Sequence, residues 1–472
     1  MPTYPPIIQG GMGVAVSSWP LASAVARRGQ IGVISGTALD TVFARKLQLG
    51  DPTGDLREAL SHFPIQAMAD RILERYFIEG GKAPCKPFKS KPMPSVKPST
   101  ALTELIVVAN FVETFLAKRG HDGLIGINLL EKVQLPTLPS LFGAMLAGVD
   151  FVLMGAGIPR AIPGALDSLS ELQVTELNLT VAGANAEDRF VSRFDPMPYT
   201  SSGIARLKRP QFIAIVSSSA LALTLARKST GRVDGFVVEG PTAGGHNAPP
   251  RGPKLFDASG QPIYGERDVA DLGQFRELGI PFWLAGSYGS AQKLQEAQSE
   301  GAQGIQVGTA FAFCDESGIN SEIKRNVISQ SVEHRAALLT DPLASPTGFP
   351  FKVVRLEDTV SESGVYLERE RICDLGYLRE MYKKADGAIG YRCSGEPVED
   401  YLAKGGELEE TDGRKCMCNG LLTTVGLGQI RNGKCEPAIV TAGDDVRHIS
   451  QFLKPGCNSY SASDVIDRLL SV

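Results

Sequence analysis

The sequence has no strong excess of charge and no long hydrophobic run. Its 48 basic and 52 acidic residues give a formal net charge of -4, so no global electrostatic field draws the protein to nucleic acid or anionic lipid. No segment approaches the roughly 20 consecutive apolar residues of a membrane span, and the N-terminal residues lack the charged and apolar regions of a signal peptide. We therefore expect a cytoplasmic protein with no membrane and no nucleic-acid partner.

Histidine and cysteine are also scarce. The 472 residues include five histidines and eight cysteines, and eight cysteines are too few for a disulfide scaffold of this size. Six of the eight lie after residue 370, and in a reducing compartment such clustering suggests metal chemistry before disulfides. Because histidines are so few, one in an unusual setting needs an explanation.

Such a histidine, His246, lies in residues 235–252, which read GFVVEGPTAGGHNAPPRG. The apolar run Phe236-Val237-Val238 is too short for a helix and is typical of a buried parallel strand. Gly244 and Gly245 remove side chains next to the histidine, so a flat ligand could approach the backbone closely. The alternative interpretation is a turn histidine that bonds only to its own loop.

Short apolar runs and helical spacing alternate along the chain. Eight such runs occur at residues 6–9, 31–34, 123–129, 149–154, 212–216, 236–238, 280–285 and 304–307. Regular alternation of strand and helix specifies a parallel sheet, and eight units can close into a (β/α)8 TIM barrel, an α/β fold with its active site at the C-terminal ends of the strands. An open doubly wound sheet is the alternative, and the lack of a Gly-x-Gly-x-x-Gly turn after the first strand weakens it.

A barrel of about 250 residues leaves well over a hundred residues to place. We predict that residues 1–320 form the barrel, with insertions at about 80–100 and 159–209. Residues 321–472 are predicted to form a cysteine-rich C-terminal extension that packs on the barrel. Residues 80–100 contain five lysines, five prolines and no acid, which is typical of an exposed, partly extended loop. This basic loop could hold a phosphate or a carrier protein, although a solvated insertion is the simpler interpretation.

Glycine-containing turns end the seventh and eighth predicted strands. They are Gly286-Ser287 and Gly308-Thr309, and barrels commonly hold a phosphate at these two positions on backbone N–H groups and a helix N-terminus. Each turn alone could be an ordinary connection between strand and helix. Together they predict a phosphate site.

These motifs occur in an order that resembles a known family. The set consists of residues 6–13, Gly244-Gly245-His246, Ala285-Gly286, residues 306–311 and residues 345–350. It spans residues 5 to about 356 and is similar to the FMN-dependent nitronate monooxygenases, also called 2-nitropropane dioxygenases. Their superfamily includes FMN-dependent enoyl-thioester reductases.

The resemblance implies a position for FMN and one catalytic residue. His246 would lie over the reactive face of the flavin. The flavin ring would contact Gly11, Met12 and Gly13, with Asn128 bonding its edge. The phosphate would be surrounded by Gly245, Gly286, Ser287, Gly308 and Thr309. On the residues alone, Met12 could equally fill a gap in the core and Asn128 could satisfy a loop backbone.

The implied activity is the oxidation of alkyl nitronates with oxygen. His246 would orient the substrate or act as general base on the neutral nitroalkane, with an imidazole that titrates near neutral pH. One alternative is a trans-acting enoyl-thioester (enoyl-ACP) reductase, in which protonated His246 donates to the α-carbon. Another is a non-catalytic barrel that binds a flavin or a phosphate ligand. The expected partners are a small-molecule or acyl-thioester substrate, an electron-donor or carrier protein, and a second copy in a homodimer.

The sequence departs from the family pattern at two places. The family usually has Gly-Gly where Gly286-Ser287 stands, and it often has a short Ile-Gly or similar segment where residues 247–252 follow the histidine. This stiff, proline-containing loop is expected to reshape the substrate side.

The extension carries a candidate metal site formed by Cys373, Cys393, Cys416 and Cys418. Four thiolates can hold zinc or an iron-sulfur cluster, and a one-electron cluster beside a flavin would imply electron delivery from another protein. Zinc modules, however, usually pair cysteines as C-x(2-4)-C, and the spacing of Cys416 and Cys418 is tighter. Buried cysteines without a ligand are also common, so the sequence leaves these interpretations open.

Overall fold

A computed structural model describes residues 4–471 of the chain. Its strands are β1 (Ile7–Gln9), β2 (Gly32–Ser35), β3 (Ile125–Leu130), β4 (Phe151–Gly155), β5 (Thr175–Asn178), β6 (Val181–Ala182), β7 (Val191–Phe194), β8 (Gln211–Val216), β9 (Gly235–Glu239), β10 (Phe282–Ala285), β11 (Gly304–Val307), β12 (Leu338–Asp341), β13 (Phe351–Val354), β14 (Glu380–Lys383), β15 (Ile389–Arg392), β16 (Ile430–Arg431) and β17 (Lys434–Cys435).

The α-helices are α1 (Trp19–Arg27), α2 (Leu39–Gln48), α3 (Asp55–Ser61), α4 (Gln66–Tyr76), α5 (Thr100–Lys118), α6 (Thr137–Leu146), α7 (Ile162–Ser170), α8 (Ser219–Lys228), α9 (Leu272–Leu278), α10 (Ala291–Ser299), α11 (Thr309–Ala312), α12 (Ser321–Val332), α13 (Ser363–Glu368), α14 (Val398–Ala403), α15 (Met417–Thr424) and α16 (Ala462–Leu470). Short 3-10 helices cover Met197–Tyr199, Glu266–Asp268, Leu408–Thr411 and Asp444–Phe452.

Eight strands form one parallel sheet in the order β1-β11-β10-β9-β8-β4-β3-β2. The two end strands also meet, because the amide of Gln9 donates to the carbonyl of Ile31 at 2.9 Å and the amide of Ile31 donates to the carbonyl of Ile7 at 3.1 Å. These bonds bring the ends of the sheet together into a barrel. The predicted TIM barrel is thus confirmed, with the eight strands at the eight apolar runs.

Alternation along each strand builds two layers of core. Ile8, Phe151, Ile213 and Trp283 belong to the cluster that fills the barrel interior. Their strand neighbours, including Ile7, pack outward into the larger cluster shared with the helices. This is the pattern of a filled barrel rather than a pore. Serine side chains cap α8 and α10, where Ser218 accepts from Leu221 and Ser290 accepts from Lys293, and these caps favour the start of each helix at the next residue.

Helix α5 is the longest helix and corrects one prediction. By length and composition it could cross a membrane, although the sequence was expected to contain no such segment. In the structure 83% of its most apolar window is buried inside the protein, and its contacts are with α6, α1 and α2. It is therefore a core helix of the layer around the barrel.

The two predicted insertions differ in structure. Residues 77–99 contain no helix or strand, as expected of a loop, but they are anchored: Phe88 is buried, and the ammonium group of Lys91 lies 2.8 Å from the carboxylate of Asp40 with both side chains buried. Within 159–209, α7 is followed by the antiparallel pair β5-β7 and by β6, which pairs with β14 of the extension.

The extension covers the C-terminal end of the barrel at the loop after β9. β12 and β13 form an antiparallel pair, and the amide of Lys352 in β13 donates to the carbonyl of Gly245 at 3.0 Å. The amide of Asn247 in turn donates to the carbonyl of Pro350 at 2.9 Å. The glycine-histidine loop is therefore held by backbone bonds to residues more than a hundred positions later.

Candidate functional site

A cavity of about 220 Å³ opens at the C-terminal ends of the barrel strands. All ten residues predicted for the cofactor and for catalysis line it: Gly11, Met12, Gly13, Asn128, Gly245, His246, Gly286, Ser287, Gly308 and Thr309. The structure thus brings together residues from the C-terminal ends of five barrel strands, as expected of a site in this fold. Their individual roles stay predictions.

His246 projects from the loop after β9 and is half-buried at this cavity. Its Nε2 lies 2.7 Å from the hydroxyl of Ser345, which lies 2.8 Å from the hydroxyl of Thr347. The ring packs edge-on against Phe351, with centroids 4.8 Å apart. The extension therefore fixes the orientation of this imidazole.

Burial lowers the pKa of His246 to about 4. The expectation of an imidazole that titrates near neutral pH is therefore wrong, because the surrounding protein disfavours the charged form. At pH 7 the ring is neutral, with one nitrogen able to donate and the other able to accept a hydrogen bond.

The glycines around the cavity serve different purposes. A Cβ on Gly245 would meet open space, but the φ of this residue is +78°, a left-handed conformation that favours glycine. A Cβ on Gly244 would lie 2.7 Å from the backbone of Ala442 and Gly443. The missing side chain of Gly244 therefore lets the backbone of the extension pack closely, rather than a ligand. A Cβ on Gly11 would lie 2.2 Å from the Cβ of Asn128, and this close packing explains the glycine without a flavin.

The turns after β10 and β11 lie at the predicted phosphate position. Ser287 has φ +56°, a left-handed conformation that favours glycine, which accounts for a Gly-Gly pair at this turn in the family. The hydroxyl of Thr309 accepts from the amide of Gly443 at 2.8 Å, and the amide of Gly245 donates to the hydroxyl of Thr441 at 3.0 Å. Groups predicted to meet a phosphate thus already contact the extension.

A carboxylate from the extension also lies at these turns. Asp445 accepts from the amide of Gly289 at 3.1 Å and lines the main cavity together with Ser287. Burial raises the pKa of Asp445, as expected where a negative charge is poorly solvated. Sequence reasoning missed this residue because nothing in the local sequence links position 445 to the barrel.

Two further polar residues of the cavity were missed although both lie in motifs that the sequence singled out. Glu239 ends β9 and lines the cavity, and burial alone raises its pKa to about 8. Gln306 in β11 has a buried Oε1 without a hydrogen-bond partner among the described residues. A polar residue at the end of a strand buried on both faces was the available signal.

Residues 247–252 lie beside the main cavity rather than in its wall. None of them lines the cavity within the described part of the chain, but Ala248, Pro249 and Arg251 line a smaller neighbouring cavity that shares Glu239 with it. Arg251 donates to the carbonyls of Ser217 and Arg267. That this loop reshapes the substrate side stays a prediction.

The four cysteines of the predicted metal site come together around a second, much smaller cavity. Cys373, Cys393, Cys416 and Cys418 are half-buried there, and the thiols of Cys373 and Cys393 interact electrostatically. Across residues 4–471, no three His, Cys, Asp or Glu side chains already form a metal-ligand group. The juxtaposition of the four residues is thus a finding, and metal binding stays a prediction.

Comparison with known sequences points to one family. A model of the nitronate monooxygenase family matches residues 182–345. The probable nitronate monooxygenase of Staphylococcus saprophyticus is 32% identical over 131 residues, covering 28% of this chain and 35% of the relative. The nitronate monooxygenase of Paraburkholderia phytofirmans is 27% identical over 197 residues, covering 40% and 49%. The chain thus matches about a third to a half of the length of these relatives.

Solved structures with a similar chain path include FabK from Thermotoga maritima, with a TM-score of 0.46, 16% identity and coverage of 99% of this chain and 92% of that one. Nitroalkane oxidase from Streptomyces ansochromogenes gives a TM-score of 0.39, 16% identity and coverage of 77% and 80%. At these scores the structures add nothing about activity. The family match and the two relatives confirm the resemblance predicted from the motifs: this chain is similar to the nitronate monooxygenase-like superfamily of FMN-dependent oxidoreductases.

Proposed function

We propose that this protein is an FMN-dependent oxidoreductase that oxidises alkyl nitronates with oxygen. The observation that carries the proposal is the neutral imidazole of His246 at the main cavity, whose pKa burial lowers to about 4. A nitronate is already an anion, so it requires no strong base. A neutral ring can orient it by a hydrogen bond, and such bonds to charged groups contribute roughly 1.5–3 kcal/mol.

The residues of the main cavity fit FMN. Gln306 presents a buried oxygen that has no hydrogen-bond partner within residues 4–471, and Gly245 lines the cavity without a side chain. Glu239 adds a carboxyl group whose pKa is raised by burial alone. Unpartnered buried polar groups of this kind are costly unless a ligand satisfies them, and a polyhydroxylated ligand such as FMN can do so. When bound, FMN would accept electrons from the nitronate and pass them to oxygen.

The protein's own part is orientation. Ser345 engages Nε2 of His246 at 2.7 Å, which leaves Nδ1 to meet a substrate. Phe351 packs on the ring and restricts its rotation. A nitronate placed beside Nδ1 would receive a directed hydrogen bond without a proton leaving the protein.

Enoyl-thioester reduction is the second candidate, and one observation favours it. That reaction needs a proton donor, and His246 is unsuited because its pKa is lowered to about 4. Glu239, with its pKa raised to about 8, is protonated at pH 7 and lines the same cavity. An acyl-thioester reductase built on this site would therefore use Glu239 as its acid.

Anaerobic mixing separates the two functions. The purified protein is expected to be yellow, to release FMN on denaturation, and to have its flavin bleached by an alkyl nitronate without NAD(P)H. Bleaching by NAD(P)H followed by recolouring with an enoyl thioester would instead establish the reductase. A colourless protein that takes up no FMN would exclude both and leave a barrel that binds another ligand.

Asp445 is predicted to weaken FMN binding, because its carboxylate lies where the phosphate is expected. Asp445→Asn should therefore tighten FMN binding about tenfold, or ~1.4 kcal/mol, measured by quenching of FMN fluorescence in titrations of FMN-free protein at pH 7. The gain should shrink at acid pH, where Asp445 is protonated. Asp467→Asn, which changes an exposed carboxylate elsewhere, is the matched control. Equal or weaker binding by Asp445→Asn would place the phosphate elsewhere.

A further inference from the structure

Four cysteines from three separate stretches of the sequence meet at one point of the extension. Cys373, Cys393, Cys416 and Cys418 line a cavity of about 10 Å³, which is roughly the room of a single water-sized sphere. An iron-sulfur cluster contains several metal and sulfide atoms, whereas this space suits one ion.

The tight spacing of Cys416 and Cys418 is compatible with a shared ligand. Residues two positions apart in a continuous helix do not face each other. Cys416, however, is the residue before α15 and has φ -75° and ψ 87°, outside the helical range, whereas Cys418 lies in the first turn. Both side chains therefore line the same cavity.

Two arginines lie where a thiolate cluster needs positive charge. Four thiolates around one dication leave a net charge of -2. Arg379 lines the cysteine cavity, and Arg369, whose Nε pairs with the buried carboxylate of Glu436, interacts electrostatically with Cys416. The Nη2 of Arg369 is buried and, within residues 4–471, has no hydrogen-bond partner. A buried guanidinium nitrogen without an acceptor is costly, and negative charge on the cysteine cluster would offset that cost.

We propose that Cys373, Cys393, Cys416 and Cys418 together bind one zinc ion. Four cysteine ligands close the tetrahedral shell and leave no position for substrate, so the site is structural. The thiols do not yet stand at ligand separation, and zinc binding draws them inward from the sides of the cavity by side-chain rotation. On binding, the ion replaces the protons of the thiols.

The zinc site supports the main cavity through two short connections. Pro346 lines the cysteine cavity, and its neighbour Ser345 hydrogen-bonds His246. Helix α15 begins at the cysteines and carries Leu421, which lines the main cavity. Loss of zinc is therefore expected to loosen both the support of His246 and one wall of the main cavity.

The test is elemental analysis of the full-length protein, purified anaerobically without chelators. We expect about one zinc per chain and no acid-labile sulfide. Cys416→Ser/Cys418→Ser should lose the zinc, whereas the matched control Cys435→Ser/Cys457→Ser, which changes two exposed cysteines, should keep it. Iron with sulfide in place of zinc would overturn the proposal, as would equal zinc loss in the control.

A second measurement uses only the unmutated protein and covers the case of a ligand variant that does not fold. Chain reduced and stripped of metal is titrated with cobalt(II), and a 1:1 complex with the absorption of tetrahedral cobalt-thiolate is expected. Absence of that absorption, together with no zinc in the protein as purified, would overturn the proposal. Neither the zinc content nor the cobalt absorption requires flavin, so both results are independent of the proposed oxidoreductase activity.

Discussion

Replacing His246 with alanine is expected to lower kcat/KM for an alkyl nitronate about a hundredfold. The imidazole is neutral and held at the main cavity by Ser345 and Phe351, so its loss removes a directed hydrogen bond to an anionic substrate. Such a bond contributes roughly 1.5–3 kcal/mol, and ~1.4 kcal/mol corresponds to a factor of ten. The measurement is steady-state oxygen consumption with a preformed nitronate, alongside the FMN content of each preparation.

Ser345→Ala is expected to lower kcat/KM less than His246→Ala does. It leaves the imidazole in place but removes the partner of Nε2, so a loss of about fivefold is expected from one hydrogen bond of ~1 kcal/mol. The matched control is His62→Ala, because His62 is exposed and lies at the end of α3. Near-normal turnover of His246→Ala with full FMN content would remove the histidine from the mechanism. A comparable loss in His62→Ala would show that the effect is not specific to the site.

The barrel was predictable because its signals are local. Each strand is a short apolar run that ends in a turn, and the eighth was expected at residues 304–307, where β11 lies. The seventh run was placed two residues too early, because Ile280 and Pro281 continue the apolar pattern, but β10 begins at Phe282. Proline lacks the amide that strand pairing requires.

The ten site residues were predictable as a group for the same reason, since they end strands of one sheet and the C-terminal ends of parallel strands meet. The physical reason for each residue at its position was not predictable. Gly244 is explained by backbone of Ala442 and Gly443 nearly two hundred residues later, and Gly11 by contact with Asn128. A sequence shows that a side chain is missing but not which neighbour occupies the space.

The contribution of the extension to the main cavity could not be predicted at all. Within the extension, the ammonium group of Lys352 lies 2.8 Å from the carboxylate of Asp444. The neighbouring residues Thr441 and Asp445 line the main cavity beside the barrel loops. These contacts depend on how two distant segments pack, and nothing in the local pattern around residue 441 indicates them. The same long-range packing sets the pKa of His246, and this is why the expected titration near neutral pH was wrong.

Glu239→Gln is expected to make the FMN-free protein more stable at alkaline pH and to leave it almost unchanged at pH 5. Burial raises the pKa of Glu239 from 4.5 to about 8. Between those values the folded protein holds a proton that the unfolded chain has released, so the free energy of unfolding falls as pH rises from about 4.5 to about 8 and is level above that. Glutamine does not titrate, so the free energy of unfolding of Glu239→Gln lacks this fall with pH.

The size of this effect follows from the shift in pKa. A rise in pKa from 4.5 to about 8 corresponds to roughly 5 kcal/mol, but Glu239 is half-buried and faces the main cavity. Water in the cavity screens part of the charge, so we expect a gain of about 2–3 kcal/mol at pH 8.5 for Glu239→Gln. Urea unfolding of the FMN-free protein at pH 5 and pH 8.5 measures it.

The matched control is Glu277→Gln, since Glu277 is exposed and should show the pH dependence of the unmutated protein. If Glu239→Gln lost stability between pH 5 and pH 8.5 as steeply as that control, Glu239 would be ionised in the folded state and could not serve as an acid near pH 7. The same result would remove the observation that favours enoyl-thioester reduction. A flat profile would instead establish a protonated carboxyl group at the main cavity, available either to hold FMN or to donate a proton.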